Sequence, residues 1–507
     1  MSQYLLSATD LRELITSAIP AEGATEHGIP PDLAQFFVPK SHARALNLNV
    51  PIVVGERGTG KSYWWNSLQS RPHRAVLEKV APDSRIRANT IVMPGFGEAA
   101  TIQGEPSLDA FPTVQVVNDL LDQYPARVIW KAVIVWAVTQ GVETLPSLTT
   151  WPEKLAWITS NTELADRLLQ NKEVELLKEE RDLLIVFDAL DRITSDPRRL
   201  DQLIEGLAQN ALELRTFRKL RAKVFLRSDQ FDPQRIGRFA DASKLRASSV
   251  TLHWLITELY GMLWQLLANH PGGSGAAFRQ DLFTRLYAAK LKGEGLSKTE
   301  QQMLFSLAQP EEWTLPSAVF FDPAAQERLF HHITGSYMGE NARKGFPYRW
   351  LPTHLADAHG KISPRSFQIA VLTAAQHTQE TRSECEYAIY YKSLYAGVRK
   401  ASEQRSYEMK EEYPWIYWII NPLRGLTLVP FDFGEVEAIW LDQGTLDHDD
   451  LRRARLSSPE AAKDALIQLG VIRPMRTGKF DVPDIYRLEF RLGRKGGIPI
   501  TQQGRLK

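Results

Sequence analysis

Short apolar runs alternate with helical patterns over the first half of the chain. Five runs are rich in β-branched or large aliphatic residues, the composition of strands buried on both faces. They lie at Val50–Val54, Thr90–Met93, Leu183–Phe187, Lys223–Leu226 and Val250–Leu252. Strands that alternate with helices predict a parallel sheet with helices on both faces.

The segments between these runs carry apolar residues at helical spacing. The pattern predicts helices over about 61–70, 163–181 and 198–217. A longer helical stretch, 112–140, is predicted to break at Pro125. The fold class expected for this half is therefore α/β.

The pattern changes twice more along the chain. Residues 261–420 predict an α-helical domain without strands, in which Ser363 and Pro364 begin a helix. Residues 421–507 predict a helix from Ser458 to Leu469, ended by Gly470, and then strands near 471–475 and 485–491. A helix followed by a β-hairpin is typical of the end of a winged-helix domain.

Four segments follow from these changes. They are a loop-rich N-terminal segment over 1–45, an α/β domain over 46–260, a helical domain over 261–420 and a winged-helix-like domain over 421–507. The loop-rich prediction rests on four prolines: Pro20, Pro30, Pro31 and Pro39. A chain of 507 residues is long enough for about three domains.

Composition narrows the class of protein. The 43% hydrophobic and 24% charged residues are ordinary for a folded domain and exclude a disordered chain. The formal net charge of +1 gives no general signal for nucleic acid. One cysteine, no basic leader before an apolar core and no long apolar stretch predict a cytoplasmic protein without a membrane span.

A phosphate-binding motif follows the first predicted strand. Residues 55–62 fit the pattern G-x-x-x-x-G-K-[ST], with a strand before it and a helix after it. The motif and the next residue supply the predicted cofactor-binding set: Gly55, Glu56, Arg57, Gly58, Thr59, Gly60, Lys61, Ser62 and Tyr63. Backbone N–H groups of such a loop surround an anion, Lys61 reaches the β- and γ-phosphates, and the Ser62 hydroxyl holds Mg²⁺.

Polar residues end two of the other buried strands. Asp188 follows Leu183–Phe187 and is predicted to hold Mg²⁺ with Ser62. Asp191 either activates the attacking water or serves as a helix cap or partner of Arg192. Arg227 directly follows the predicted strand Lys223–Leu226 and either senses the γ-phosphate or pairs with a nearby acid.

Together the Gly55–Ser62 loop, the Asp188-x-x-Asp191-Arg192 sequence and Leu226–Asp229 resemble the STAND and KAP branch of bacterial P-loop ATPases. This branch lies in the additional-strand group that includes the AAA+ proteins. The resemblance implies ATP and Mg²⁺ as cofactors and an extra strand between the phosphate loop and the metal-binding aspartate.

The same resemblance implies a function. It implies ATP-driven switching or homo-oligomerisation, with hydrolysis that is slow or stimulated by partners, in a bacterial multiprotein system such as anti-phage defence. Position 189 is Ala, where many ATPases of the broader group carry the catalytic Glu, so hydrolysis would depend on Asp191.

Two features outside the α/β half leave alternatives open. Residues 471–507 hold nine Lys and Arg against three Asp and Glu, which suits contact with nucleic acid, contact with a partner protein or a solvated basic tail. Arg365 either reaches the nucleotide or pairs with an acid such as Asp357. The main hypothesis is an ATP-binding switch; the alternatives are a nucleotide-regulated DNA- or RNA-binding protein and a scaffold with a structural nucleotide.

Overall fold

The computed structural model describes most of the chain, in ten ranges. They are 6–20, 29–97, 101–102, 105–106, 110–139, 148–194, 196–231, 242–291, 322–425 and 428–500. The chain divides into two compact units. We call Thr25–His253 the α/β unit, and Met1–Ala24 with Trp254–Lys507 the helical unit.

The five predicted apolar runs all form strands of the α/β unit, and two further short strands lie between the second and third runs. The strands are β1 Ile52–Val54, β2 Ile91–Phe96, β3 Thr101–Ile102, β4 Glu105–Pro106, β5 Leu183–Phe187, β6 Leu220–Leu226 and β7 Ser249–Thr251. Five of them form one sheet in the order β2-β5-β6-β1-β7, and every pair in it is parallel. The parallel sheet predicted from the sequence is confirmed.

Strand β6 lies between β1 and β5. It pairs Val54 with Leu226 on one side and Phe187 with Val224 on the other. The strand that leads into the phosphate loop is therefore separated by one strand from the strand that ends at Asp188. This is the extra strand implied by the resemblance to the additional-strand ATPases.

The sheet is covered on both faces. Val54 and Ile185 pack into one core with the helices that follow β2 and β5, whereas Val53 and Leu184 pack into a second core with Trp64. Alternate residues of a strand point to opposite faces, so most positions of a doubly covered strand are apolar.

The helices predicted over 61–70, 112–140, 163–181 and 198–217 are present, and the unit contains further helices that were not predicted. The helices are α2 Ala43–Leu46, α3 Lys61–Gln69, α4 Arg71–Val80, α5 Val114–Leu121, α6 Ala126–Val138, α7 Trp151–Ser160, α8 Thr162–Lys178, α9 Pro197–Glu213 and α10 Ala242–Ser248. Pro125 separates α5 from α6, as predicted. Short 3₁₀ turns occupy Leu33–Gln35, Lys40–His42, Pro82–Ser84, Leu190–Arg192 and Leu214–Thr216.

A lysine of the central strand β6 is buried inside this unit. Lys223 of β6 is fully buried and donates to the carbonyl oxygens of Ala45, Asn47 and Val50 at 2.8–3.0 Å. Burial lowers the pKa of its amine to about 7. The three hydrogen bonds fix the chain before β1 against the centre of the sheet.

The helical unit contains the remaining elements. Its helices are α1 Ala8–Ala18, α11 Ile256–Ala268, α12 Ser274–Leu291, α13 Pro323–Thr334, α14 Pro347–Leu355, α15 Pro364–Thr381, α16 Ser393–Glu412, α17 Trp415–Ile420, α18 Phe433–Asp442, α19 Asp449–Arg453, α20 Pro459–Gln468 and α21 Asp484–Arg487. Its strands are β8 Leu428–Val429, β9 Arg473–Pro474, β10 Phe480–Asp481 and β11 Gly493–Arg494. Further 3₁₀ turns lie at Ala342–Lys344, Asn421–Leu423 and Thr445–Asp447.

The end of the helical unit has winged-helix connectivity. Phe431 is followed by α18, α19 and α20, and then by the antiparallel hairpin β9–β10. Phe431 bridges Phe480 of β10, and β10 pairs with β9, so β10 lies between Phe431 and β9. The cap at Ser458 is also as predicted, because its side chain accepts from the Ala461 N–H.

One strand prediction in this region is wrong. Residues predicted as a strand over 485–491 begin instead with the helical turn Asp484–Arg487. Pro483 precedes the turn, and the Asp484 and Arg487 side chains, which are both buried, form an ion pair three residues apart. A pair at this spacing closes in a helical turn and separates in a strand.

The loop-rich prediction for 1–45 is wrong over Ala8–Ala18, which form α1. A capping box between Ser7 and Asp10 begins the helix, and Leu11, Leu14 and Ile15 are buried. The prolines that suggested loops all lie beyond the helix.

The division into two units does not separate 261–420 from 421–507, so that boundary stays a prediction.

Arg12 fixes α1 within the helical unit. It is 1% exposed and donates to Gln379 Oε1 and to the carbonyl oxygens of Ser383, Tyr387 and Ala388 at 2.9–3.1 Å.

Among the described residues, no helix is long and apolar enough to cross a membrane.

We expect Arg12→Ala to lower the free energy of unfolding of the helical unit by about 2–4 kcal/mol, because several buried acceptors lose a charged donor. Urea unfolding and amide exchange in residues 8–18 measure the effect. Glu13→Gln, a change at an exposed position of the same helix, is the control. Equal stability of the two variants would contradict the role of Arg12.

Candidate phosphate-binding site

The predicted site residues meet where three neighbouring strands end. The phosphate loop follows β1, Asp188 follows β5 and Arg227 follows β6. Since the three strands are parallel neighbours, their carboxyl ends lie at the same edge of the sheet. A hydrogen bond of 2.9 Å from the Gly55 N–H to the Leu226 carbonyl joins the loop to β6.

Two glycines give the loop its shape. Gly60 has φ of 106°, a left-handed conformation, and directly precedes α3. A Cβ atom at Gly55 would lie 2.5 Å from Thr59 Oγ1, which in turn donates to the Glu56 carbonyl at 2.7 Å. The first N–H groups of α3 and its positive end therefore form the base of a tight loop, the arrangement that binds phosphate.

The Lys61 side chain lies along this loop. Its Nζ donates to the carbonyl oxygens of Gly55 and Glu56, at 2.9 Å each. The ammonium is thereby held beside the loop backbone. Its charge also favours the ionised form of Asp188.

Ser62 and Asp188 form the central contact of the site. The Ser62 hydroxyl donates to Asp188 Oδ2 at 2.7 Å. Burial raises the pKa of Asp188 from 3.8 to about 6, opposed by the Ser62 hydrogen bond and the Lys61 charge. A buried carboxylate that is costly to ionise is a strong acceptor for a cation.

Asp191 is brought to the site by an unusual turn. Ala189 has φ of 58°, a left-handed conformation that costs a non-glycine residue about 1 kcal/mol. The turn begins the 3₁₀ segment Leu190–Arg192, which includes Asp191. Strain of this kind concentrates at functional sites.

Arg227 contacts two carboxylates. Its Nε and Nη2 donate to the two oxygens of Asp229 at 3.1 and 3.0 Å, and Nη1 lies 3.4 Å from Asp191 Oδ2. The alternative of an ion pair with a nearby acid is therefore present in the structure. The same contacts place the guanidinium beside Asp191, and the γ-phosphate sensor role stays a prediction.

The Tyr63 side chain contacts Phe36 and Phe37. Its hydroxyl accepts from the Phe37 N–H at 2.9 Å and donates to the Phe37 carbonyl at 3.1 Å, and its ring stacks on Phe36. The predicted contribution of Tyr63 to cofactor binding then falls to its backbone N–H.

Comparisons with known proteins give little support of their own. No protein-family profile matches the sequence, and no curated protein matches it. Among solved structures, the ORC2 protein of Aeropyrum pernix in ADPNP and ADP complexes is 13% identical, covers 92% of this chain and 93% of its own, and has a TM-score of 0.31. CDC6P from Pyrobaculum aerophilum is 11% identical, with coverages of 91% and 96% and a TM-score of 0.26. Both scores are too low to carry an argument.

The donor set fits Mg²⁺ bound together with phosphates. Among the described residues no group of three or more His, Cys, Asp and Glu converges on one point. A magnesium ion held with a nucleotide needs only one or two protein oxygens, because phosphates and water complete its shell. Ser62 and Asp188 supply that number.

Several basic residues of the C-terminal region pair with acids. Asp481 pairs with Arg473 and Arg494, and Asp484 pairs with the buried Arg487. Lys479 lies 3.0 Å from Asp432. Arg505 and Lys507 lie outside the described residues. At least four of the seven Lys and Arg that the structure describes in this region therefore pair with an acid.

Arg365 has a partner other than the one expected. Its Nη1 lies 2.8 Å from Oε1 of the buried Glu408, in place of the predicted Asp357. The carboxylate of Asp357 accepts from the N–H groups of His359 and Lys361. The pairing alternative is confirmed with a different acid.

The sequence left an ion pair of Arg227 with a nearby acid open, but it did not identify Asp229 as that acid or predict the contact with Gln230. The N–H of Arg227 donates to Gln230 Oε1 at 3.0 Å, and Asp229 binds the guanidinium. The signal was the polar run Arg-Ser-Asp-Gln directly after a buried strand, which is typical of a turn.

We expect Asp188→Asn to raise the free energy of unfolding at pH 7 by about 1–3 kcal/mol, because the folded chain no longer buries an ionised carboxylate. In the unchanged protein, the folded state binds a proton at Asp188 between pH 3.8 and about 6, so this residue makes stability fall as pH rises through that window. The Asp188→Asn variant has no carboxyl group at this position, so its stability does not show this decrease with rising pH.

Urea unfolding at several pH values measures both effects. Asp166→Asn is the control, because Asp166 is 57% exposed and pairs with Lys131. An Asp188→Asn variant that is less stable than the unchanged protein at pH 7 would contradict the electrostatic account.

Proposed function

We propose that this protein is an ATP-binding switch that hydrolyses Mg-ATP slowly. The observation that carries the proposal is the convergence of the Gly55–Ser62 loop, Asp188, Asp191 and Arg227 at one edge of the sheet. A phosphate loop alone supports anion binding. The addition of a serine–aspartate pair and an arginine supports a triphosphate with its metal.

Each side chain has a role in this proposal. The loop N–H groups and Lys61 bind the β- and γ-phosphates, and Ser62 with Asp188 would hold Mg²⁺, which neutralises phosphate charge when bound. Asp191 takes a proton from the attacking water, and Arg227 contacts the γ-phosphate. Attack on the γ-phosphorus then gives ADP and phosphate.

Slow turnover follows from the composition of the site. Position 189 is Ala, so the acid nearest to Asp188 in the chain is Asp191. Asp191 already contacts Arg227, so its carboxylate must leave this contact before it can take a proton from water. Hydrolysis that is limited in this way suits a protein whose ATP-bound and ADP-bound forms both persist.

The nucleic-acid alternative has less support from the described residues. The third helix of the winged-helix segment, α20, carries Glu460 and Asp464, acids that repel phosphates. With Arg473, Arg487 and Arg494 already paired, this segment suits protein contacts better. We therefore propose partner proteins as its ligands.

The wider biological role rests on the resemblance to the STAND and KAP branch. Membership of that branch, ATP-dependent homo-oligomerisation, a cytoplasmic location and a place in a bacterial anti-phage system all stay predictions. Each would give the switch a signal to transmit, which the geometry of the site alone does not identify.

We expect the full chain to hydrolyse ATP with Mg²⁺, Lys61→Ala to abolish turnover, and Asp191→Asn to lower kcat by about 100-fold or more, since a positioned base contributes that much. Steady-state phosphate release measures this, with and without duplex DNA. Asp166→Asn is the control.

The outcomes separate the hypotheses. Turnover that survives Lys61→Ala would contradict the proposal. Turnover that survives Asp191→Asn would assign water activation to another group. ATP binding without turnover would favour the scaffold hypothesis, and stimulation by DNA would favour the nucleic-acid alternative.

A further inference from the structure

The carboxylate of Asp229 holds one edge of the Arg227 guanidinium. Both oxygens accept, one from Nε at 3.1 Å and the other from Nη2 at 3.0 Å. A carboxylate bound through two parallel hydrogen bonds fixes the plane of the guanidinium as well as its position. The Arg227 side chain is 13% exposed, so the plane is set within the protein surface.

The turn that carries Asp229 is itself held in place. The carbonyl of Arg227 accepts from the N–H groups of Gln230 and Phe231, and the Arg227 N–H donates to Gln230 Oε1. These bonds close residues 227–231 into a compact turn after β6. Asp229 is therefore a fixed anchor for Arg227.

The geometry of the guanidinium makes its two sides unequal. It has five N–H donors, one on Nε and two on each terminal nitrogen. Asp229 uses the edge formed by Nε and Nη2. Nη1 lies on the other side and contacts Asp191 at 3.4 Å, a longer and weaker contact than either bond to Asp229.

We propose that Asp229 is a positioning residue that holds Arg227 so that Nη1 exchanges between the Asp191 carboxylate and the γ-phosphate of ATP. The inference rests on the proposed function of the site. A γ-phosphate carries more charge than a carboxylate and displaces Asp191 from Nη1, while the bidentate bond to Asp229 persists. ADP has no γ-phosphate and leaves Nη1 on Asp191.

This exchange gives the switch a chemical basis. When ATP is bound, Asp191 is released from the guanidinium and becomes available to the attacking water. When ADP is bound, Asp191 and Arg227 pair again. Asp229 thus acts through Arg227 and makes the site respond to the third phosphate rather than to nucleotide in general.

The test is the ratio of ATP affinity to ADP affinity for the full chain, measured with a non-hydrolysable ATP analogue and ADP by calorimetry. We expect Arg227→Ala and Asp229→Asn each to lower the ratio by about tenfold, through weaker binding of the ATP analogue with ADP affinity unchanged. In the double variant the ratio is no lower than in Arg227→Ala, because Asp229 acts only through Arg227.

Two further variants keep the test decisive. Arg227→Lys keeps the charge, but an ammonium group cannot bind Asp229 through one edge and the γ-phosphate through another, so this variant also lowers the ratio. It provides the test if Asp229→Asn fails to fold. Glu163→Gln removes the same charge from an exposed ion pair with Arg167 in the α/β unit and leaves the ratio unchanged.

The results distinguish this inference from the proposed function. An unchanged ratio in Asp229→Asn beside a lowered ratio in Arg227→Ala would overturn the positioning role alone. An equal loss of both affinities in Asp229→Asn would show a general structural effect and would also overturn it. Failure of the unchanged chain to bind either nucleotide would overturn the proposed function and the inference together.

Discussion

The hydrogen bond from Ser62 to Asp188 connects the two halves of the candidate site. Ser62 belongs to the helix that follows β1, and Asp188 ends β5, two positions away in the sheet. The contact is short only because β6 places both strands in register, with Phe187 opposite Val224 and Val54 opposite Leu226. The site therefore depends on the order and register of the central strands.

The same dependence explains the buried charges near the centre of the sheet. Lys223 lies within β6 and holds the chain before β1 through three carbonyl oxygens. Asp188 is also buried, and burial raises its pKa. Ionisation of Asp188 at neutral pH therefore lowers the free energy of unfolding. A protein retains a costly group of this kind where it serves binding. The strained turn at Ala189 and the anchored Arg227 fit the same interpretation.

Local signals explain what could be predicted from the sequence. The strands of the sheet are buried on both faces, so their apolar runs are visible without knowledge of their neighbours, and the phosphate motif fixes its own loop. The misses depended on distant or side-chain contacts. Arg12 holds α1 through acceptors 367–376 residues away, and Asp484 with Arg487 favours a helical turn over the predicted strand. An ion pair of Arg227 with a nearby acid was one of the alternatives, but the choice of Asp229 depended on the fold of the turn.

The most direct measurement is calorimetric titration of the full chain with ATP in the presence and absence of Mg²⁺, beside Ser62→Ala. The account predicts saturable ATP binding with one site per chain, tightened by Mg²⁺ in the unchanged protein and insensitive to Mg²⁺ in the variant. Binding that Mg²⁺ tightens equally in both proteins would contradict the assignment of the metal to Ser62 and Asp188. Absence of binding in the unchanged protein would contradict the account as a whole.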